Sequence, residues 1–324
     1  MQHRAFMVYS IANNAGKLRS LSKITRWKAA IMNDFCKGAI GIILGGRYPH
    51  CHSLVIDDQR RAIIDAASDR EKLLSFHQER QVDILITSHA HEDHLMYNHL
   101  FDHAAFWVHE ADAHGFTDIK TLIEPFEPTE EESAAWEDFI TKECNYVPRE
   151  PDRLLYDGDV LDFGDTQALV VHAPGHTPGH CCFHFPQERL LFLADMDLTR
   201  IGPYYGDPGS DLDLTICSLK RLAEFDVDVY LTSHGKGIYE GNPELIRRYL
   251  DIIRQRENRL LDFLCQGPKT LDEIVQQCIV YGKPVELGIY DLSISERHMM
   301  SKHLDRLVQR EVVLLDENRY SLLR

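Results

Sequence analysis

The chain has 324 residues with 44% apolar and 27% charged side chains, the balance of a folded globular protein, so disordered, fibrous and collagen-like classes are excluded. Its 51 Asp and Glu outnumber its 35 Lys and Arg, a formal net charge of −16, and such a surface disfavours nucleic acid as a partner. No window approaches the roughly eighteen consecutive apolar residues of a membrane span, so no membrane partner is expected.

In chain order, residues 1–37 carry seven Lys and Arg against the single acid Asp34, with no compact apolar run or small-residue cleavage site; they read as a flexible basic leader rather than a secretory signal. Short β-branched runs follow. The pattern predicts strands at Ile40–Leu44, His52–Ile56, Arg61–Asp65, Ile84–Thr87, Ala105–Val108, Ala168–His172, Cys181–Phe185, Leu190–Ala194 and Val229–Thr232. Helical periodicity lies between them at Arg70–Gln78 and Leu212–Phe225. An acidic insertion opens with Thr129 and Glu132 at capping-box spacing, and Trp136, Phe139 and Ile140 then fall on one helical face. That face either packs on the body or forms a lid over an active site.

After Asn242 the pattern turns helical. Pro243 opens a stretch through Leu264, Thr270 caps a short helix to about Val280, and Ser293 or Ser295 caps a third to about Arg310. Residues 312–323 read as a hairpin around an Asp316–Arg319 turn. The division is therefore 1–37 leader, 38–242 catalytic body and 243–324 small winged-helix unit, in a mixed α/β chain. The eight cysteines include no C-x-x-C pair, which fits reduced thiols in a cytoplasmic protein. The adjacent Cys181 and Cys182 read as small core residues.

The chemistry concentrates in "ILITSHAHEDHLM", where an apolar strand delivers His89, His91, Asp93 and His94 within six residues. So many imidazoles and a carboxylate at the mouth of a buried strand are costly unless each nitrogen has a partner, and clustered His and Asp are what a metal requires. His176, Asp195 and His234 follow later strands, and the carboxyl ends of strands converge on one crevice. Seven ligands suffice for two ions: His89, His91 and His176 on the first, Asp93, His94 and His234 on the second, and Asp195 on both. Imidazole and carboxylate without thiolate suit two Zn²⁺, with Fe or Mn as alternatives. Two ions can share a hydroxide that attacks a carbonyl or phosphoryl group, and no side-chain nucleophile is needed. Asp93 is assigned a catalytic role besides its ligand role. Tyr204 and Tyr205, in the loop after Asp195, and His180, four residues beyond His176, are candidate substrate contacts, either tyrosine as an oxyanion donor.

His89-x-His91-x-Asp93-His94 with His176, Asp195 and His234 resembles the metallo-β-lactamase superfamily, a match running roughly from Ile40 to Gly241. The resemblance implies an αβ/βα four-layer sandwich, metals at one edge, and for Asp65 a role in supporting the metal loops. True zinc β-lactamases usually break this motif or use Cys in the second site, where Asp195 stands here. Flavodiiron oxidoreductases carry Glu at the position of His91. The motif is similar to those of glyoxalase II-like thioesterases, lactonases and RNase Z-like nucleases. Leu95, Met96 and Tyr97 stand where glyoxalase II continues Gly-Gly, which turns the reading away from a glutathione thioester. A body of this type followed by a winged helix resembles the group typified by β-lactamase-like protein 2, with endoribonuclease activity on single-stranded RNA. The acidic surface ranks hydrolysis of a small-molecule thioester, ester or lactone first and cleavage of single-stranded RNA second. Arg297, Lys302, Arg306 and Arg310, with His298 and His303, are the residues with which the third terminal helix would face phosphates. A nucleic-acid-binding regulator and a mono-iron persulfide oxygenase are more distant alternatives. The sequence leaves oligomeric state open.

Overall fold

The computed structural model describes residues 35–284, 286–287 and 290–323. The basic leader lies outside them except for Phe35–Lys37, which form the first strand, β1. β1 pairs with β2 (Ile40–Ile43) in a seven-stranded sheet completed by β3 (Ser53–Ile56), β4 (Ala62–Ile64), β5 (Ile84–Ile86), β6 (Ala105–His109) and β7 (Arg153–Leu155), ordered as in sequence. A second sheet runs β13-β12-β11-β10-β9-β8, from Ile238–Glu240 (β13), Val229–Leu231 (β12), Leu190–Phe192 (β11), Cys181–Phe185 (β10), Gln167–His172 (β9) and Val160–Asp162 (β8).

Alternation along the strands sets the layers, because successive side chains leave a strand on opposite faces. Leu54, Ile64, Ile84, Ile86 and Trp107 of the first sheet meet Val170, Phe183, Phe185, Phe192 and Leu231 of the second in one buried cluster. The opposite faces are covered too. Val55, Ile63, Leu85, Phe106 and Val108 pack under α1 (Arg70–Glu79), two short helices at His114–Thr117 (α2) and Lys120–Ile123 (α3), and α4 (Glu130–Lys142). Val171, Cys182, Leu191 and Tyr230 pack under α5 (Leu212–Leu222) and α6 (Pro243–Leu264). The order is helix, sheet, sheet, helix, as the family resemblance implies. Cys181 and Cys182 point into the two neighbouring cores and are buried.

Thr129 and Glu132 close the expected capping box, and Trp136, Phe139 and Ile140 pack on the body's own cluster. The helix after Thr270 is shorter than predicted: α7 spans Leu271–Val275, because the Glu296 carboxylate captures the Val280 and Tyr281 N–H groups and draws the chain off the helical path. A short ladder, β14 (Glu286–Leu287) with β15 (Tyr290–Asp291), precedes α8 (Ser293–Gln309), and β16 (Val313–Asp316) and β17 (Arg319–Leu322) form the terminal hairpin. Ile253, Leu260, Ile274, Met300 and Leu304 share one cluster with Leu191 and Tyr230, so the terminal helices sit on the second sheet rather than apart from it. No helix among the described residues is long and apolar enough to cross a membrane.

Candidate metal centre

β4, β5 and β6 run parallel, and so do β11 and β12; β9 and β11, each antiparallel to β10, point the same way. Loops leaving β5, β9, β11 and β12 therefore open on one edge of the sandwich. Asp65 (φ 59°) and Ala194 (φ 47°) occupy the left-handed region at the ends of β4 and β11, a strained conformation typical of functional sites. There the chain turns so that Asp65 and Asp195 face the crevice.

The structure brings all seven predicted ligands together in two groups sharing Asp195. His89 Nε2, His91 Nδ1 and His176 Nε2 form a triangle with edges of 3.1, 3.1 and 3.2 Å. Three nitrogens in pairwise contact cannot all be matched donor to acceptor, since one of the three pairs is always like with like. A tetrahedral ion with bonds of about 2.0–2.1 Å would space its nitrogens about 3.3 Å apart. The triangle fits that ion and no hydrogen-bond scheme. In the second group His234 Nε2 lies 3.1 Å from Asp93 Oδ2, and His94 Nε2 lies 3.8 Å from Asp93 Oδ1. Asp195 spans both groups, with Oδ2 3.4 Å from His176 Nε2 and Oδ1 3.0 Å from His94 Nε2. Buried His94 Nε2 and Asp195 Oδ1 nevertheless make no hydrogen bond. Ligands aimed at a common third atom behave this way.

The electrostatics differ between the groups. Burial, reinforced by His94, drives His89 well below the usual histidine range. For His94, burial is outweighed by Cys51, Asp195, Asp65 and Asp93, which hold it well above that range. His234 is raised in the same way by Asp195 and Asp93. Asp195 is held well below the carboxylate range, where His234 and His94 outweigh burial. Carboxylates thus concentrate negative potential at the second group, as a cation requires.

The rings of His89, His91 and His176 each have their second nitrogen hydrogen-bonded by a neighbour, which fixes tautomer and orientation. His89 Nδ1 donates to Ser88 Oγ (2.9 Å), which donates to Asp65 Oδ2 (2.8 Å). His94 Nδ1 lies 3.0 Å from the same Asp65 oxygen, and His176 Nδ1 donates to the Tyr204 carbonyl (3.0 Å). His91 Nε2 donates to Asp207 Oδ2 at 2.5 Å. There burial is outweighed by the carboxylate, pushing His91 up to about 9. Asp65 accepts from the Ser88 N–H and hydroxyl. Two carboxylates escaped the sequence reading: Asp207, and Asp112, which accepts from Ala90 N (3.0 Å), Thr177 Oγ1 (2.6 Å) and Gly179 N (2.6 Å) and so ties the 89–91 loop to the loop carrying His176. Neither lies in a motif, and only loop packing reveals them. Cys51 also adjoins Asp65 and His94, but burial pushes its thiol up to about 11, so it offers no thiolate at neutral pH.

The three candidate substrate contacts sit otherwise than the sequence suggested. Tyr205 is fully buried, its hydroxyl accepting from Arg256 and donating to His303 Nε2. His180 is also fully buried and accepts from the Asp195 N–H, so it places a ligand instead of touching substrate. Tyr204 commits its hydroxyl to Asp207 Oδ1 (2.8 Å) and cannot donate it to an oxyanion as well.

The family model described as the metallo-beta-lactamase superfamily matches residues 47–234, well over half the chain. The chain belongs to the metallo-β-lactamase superfamily. Two solved structures share its fold over most of its length: a metallo-beta-lactamase family protein from Thermus thermophilus (TM-score 0.68, 20% identity, 88% of this chain and 99% of that one) and a beta-lactamase domain protein from Burkholderia ambifaria (TM-score 0.67, 20% identity, 90% and 96%). Human acyl-coenzyme A thioesterase MBLAC2 is 30% identical over 118 residues, 35% of this chain and 40% of its own. A hydroxyacylglutathione hydrolase of Rhizobium etli is 52% identical over 73 residues, 22% and 27%. The chain thus spans less than half the length of either named enzyme. Both names describe hydrolases.

Proposed function

We propose that the protein is a binuclear metal-dependent hydrolase of acyl thioesters, with esters and lactones in the same reach. The observation that carries this reading is the imidazole triangle facing a carboxylate shared with a second His and Asp group. His89, His91 and His176 would hold one ion, Asp93, His94 and His234 the other, and Asp195 both; all-nitrogen and oxygen donors suit Zn²⁺ first, with Fe or Mn as alternatives. When bound, the pair supplies Lewis acidity and a water nucleophile at neutral pH. The chain's own residues orient and buffer that chemistry. Asp93 rests one oxygen on His234 and keeps Oδ1 free enough, 3.8 Å from His94, to hold the proton that the leaving thiol takes up. His234 and His91 are partly exposed, while His89, His94 and His176 are buried.

Support for a thioester comes from the names of the two enzymes, each specifying an acyl group on a thiol carrier. Cleavage of RNA has less behind it. On α8, Arg297 pairs with Asp272, Arg306 with Asp213 and Glu257, Arg310 with Asp213, and Lys302 binds the Asp207 carbonyl. Those cations are engaged within the chain, leaving a weak footprint for phosphates. The same proposal keeps 38–242 as the catalytic part and 243–324 as a winged-helix-like unit, supported by α7, α8 and the terminal hairpin. All eight cysteines are free, which agrees with a cytoplasmic setting. The test is elemental analysis of the purified protein beside a panel of thioester, lactone, phosphodiester and RNA substrates. About two metal ions per chain and thioester turnover are expected. A single iron with oxygen consumption, or RNA cleavage alone, overturns the reading.

A further inference from the structure

The 204–207 loop is held from two sides. Toward the crevice it meets two ligands of the first group: Asp207 Oδ2 accepts from His91 Nε2, and the Tyr204 carbonyl accepts from His176 Nδ1. Away from the crevice it meets α8, some ninety residues later in the chain. Ser295 Oγ lies 3.1 Å from the Tyr204 hydroxyl, His298 Nδ1 donates to the Gly206 carbonyl (2.8 Å), and Lys302 Nζ donates to the Asp207 carbonyl (2.7 Å). The Tyr204 hydroxyl in turn donates to Asp207 Oδ1. The packing leaves no slack: a Cβ on Gly206 would stand 2.9 Å from the Tyr204 ring and 3.0 Å from Ser295 Cβ.

We propose that Asp207 is a positioning residue that aims the His91 ring at the first metal position, and that α8, by clamping the 204–207 loop, makes the C-terminal unit part of that position's support. An imidazole that ligates through Nδ1 needs its proton on Nε2. A buried carboxylate accepting that proton fixes tautomer and ring angle and makes the ligating nitrogen more basic. His94 and His234 of the second group make no contact with this loop in the described residues, so the effect is confined to one ion. The inference rests on the binuclear reading.

The experiment measures Zn²⁺ affinity by chelator competition, with Co²⁺ absorption as a second signal, in the full chain and in Asp207→Ala, Asp207→Asn and Gly206→Ala. Asp207→Ala should weaken one of two binding steps about 10- to 100-fold and leave the other within about two-fold of its original value. Asp207→Asn, which keeps an acceptor for the His91 proton, should recover part of the loss. Gly206→Ala, which pushes α8 off the loop without touching a ligand, should weaken the same step by a smaller factor. Circular dichroism separates these outcomes from misfolding, and Asp207→Asn stands in if the alanine variant does not fold. Two unchanged affinities, or equal loss at both steps, overturn the proposal while the binuclear reading survives. A full chain that binds no metal overturns both.

Discussion

The two ligand groups of this centre solve different problems. The first is three imidazoles whose nitrogens touch without being able to satisfy one another, and it is neutral enough that burial governs His89. The second has carboxylates on every side, and His94 and His234 are held toward their charged forms by them. One group is short of partners and the other has an excess of negative charge. A cation answers both, but the supports differ: Asp112 and Asp207 back the first group alone, from loops, while Asp65, at the end of β4, reaches His89 of the first group through Ser88 and lies 3.0 Å from His94 of the second.

The contrast can be broken at the residue the groups share. Asp195→Ala should release both ions and reduce turnover by roughly three orders of magnitude, the size of several kcal/mol of lost Lewis-acid stabilisation; metal analysis beside the kinetics checks that the two losses come together. Next, His91→Ala should empty only the first position and His94→Ala only the second, each lowering turnover about 10²-fold. Retention of the untouched ion in each variant is the deciding readout. If both variants lose both ions, the groups are one unit and the contrast dissolves.

Smaller effects sharpen the comparison of supports. Asp112→Ala leaves the buried Ala90 and Gly179 N–H groups without their acceptor and should cost about 2–4 kcal/mol in urea unfolding, with the first binding step weakened. Asp65→Ala strands the Ser88 N–H in the same way and, by releasing Ser88 beside His89 and removing the carboxylate beside His94, should weaken both steps. The smallest expected effect lies outside the centre. Burial lowers the pKa of His303, against the pull of Glu257, so the folded chain keeps it neutral where the unfolded chain begins to protonate it. Its contribution is complete above the ordinary histidine value of 6.5 and is lost as pH falls through the lower folded value. Urea unfolding of His303→Gln should lose less stability than the parent between pH 7.5 and 5.5.

Much of the fold was legible because its central strands are buried on both faces, and runs such as Ile84–Ile86 or Leu190–Ala194 are apolar throughout. Of the strands that escaped notice, β1, β7, β8 and β13 are three residues each and mixed in burial, and β14 and β15 are two residues each. A ladder with a neighbour holds them, and their own pattern carries little signal. The cluster of candidate ligands was legible for a different reason: four of them crowd into one loop and the other three follow strand ends.

The sequence by itself determined the mixed α/β strand pattern and the spacing that gathers seven candidate ligands at strand ends, since both are written in local periodicity or motif; the layered sandwich and the supporting role of Asp65 followed from the resemblance that motif carries. Only the tertiary structure decided what holds those ligands. Asp112, Asp207 and the clamp of α8 on the 204–207 loop come from contacts between segments far apart in the chain, and other tertiary contacts engage Tyr204 with Ser295, Tyr205 with Arg256 and His303, and His180 with the Asp195 N–H. Where a loop side chain points is set by what packs against it, and no short-range pattern records that.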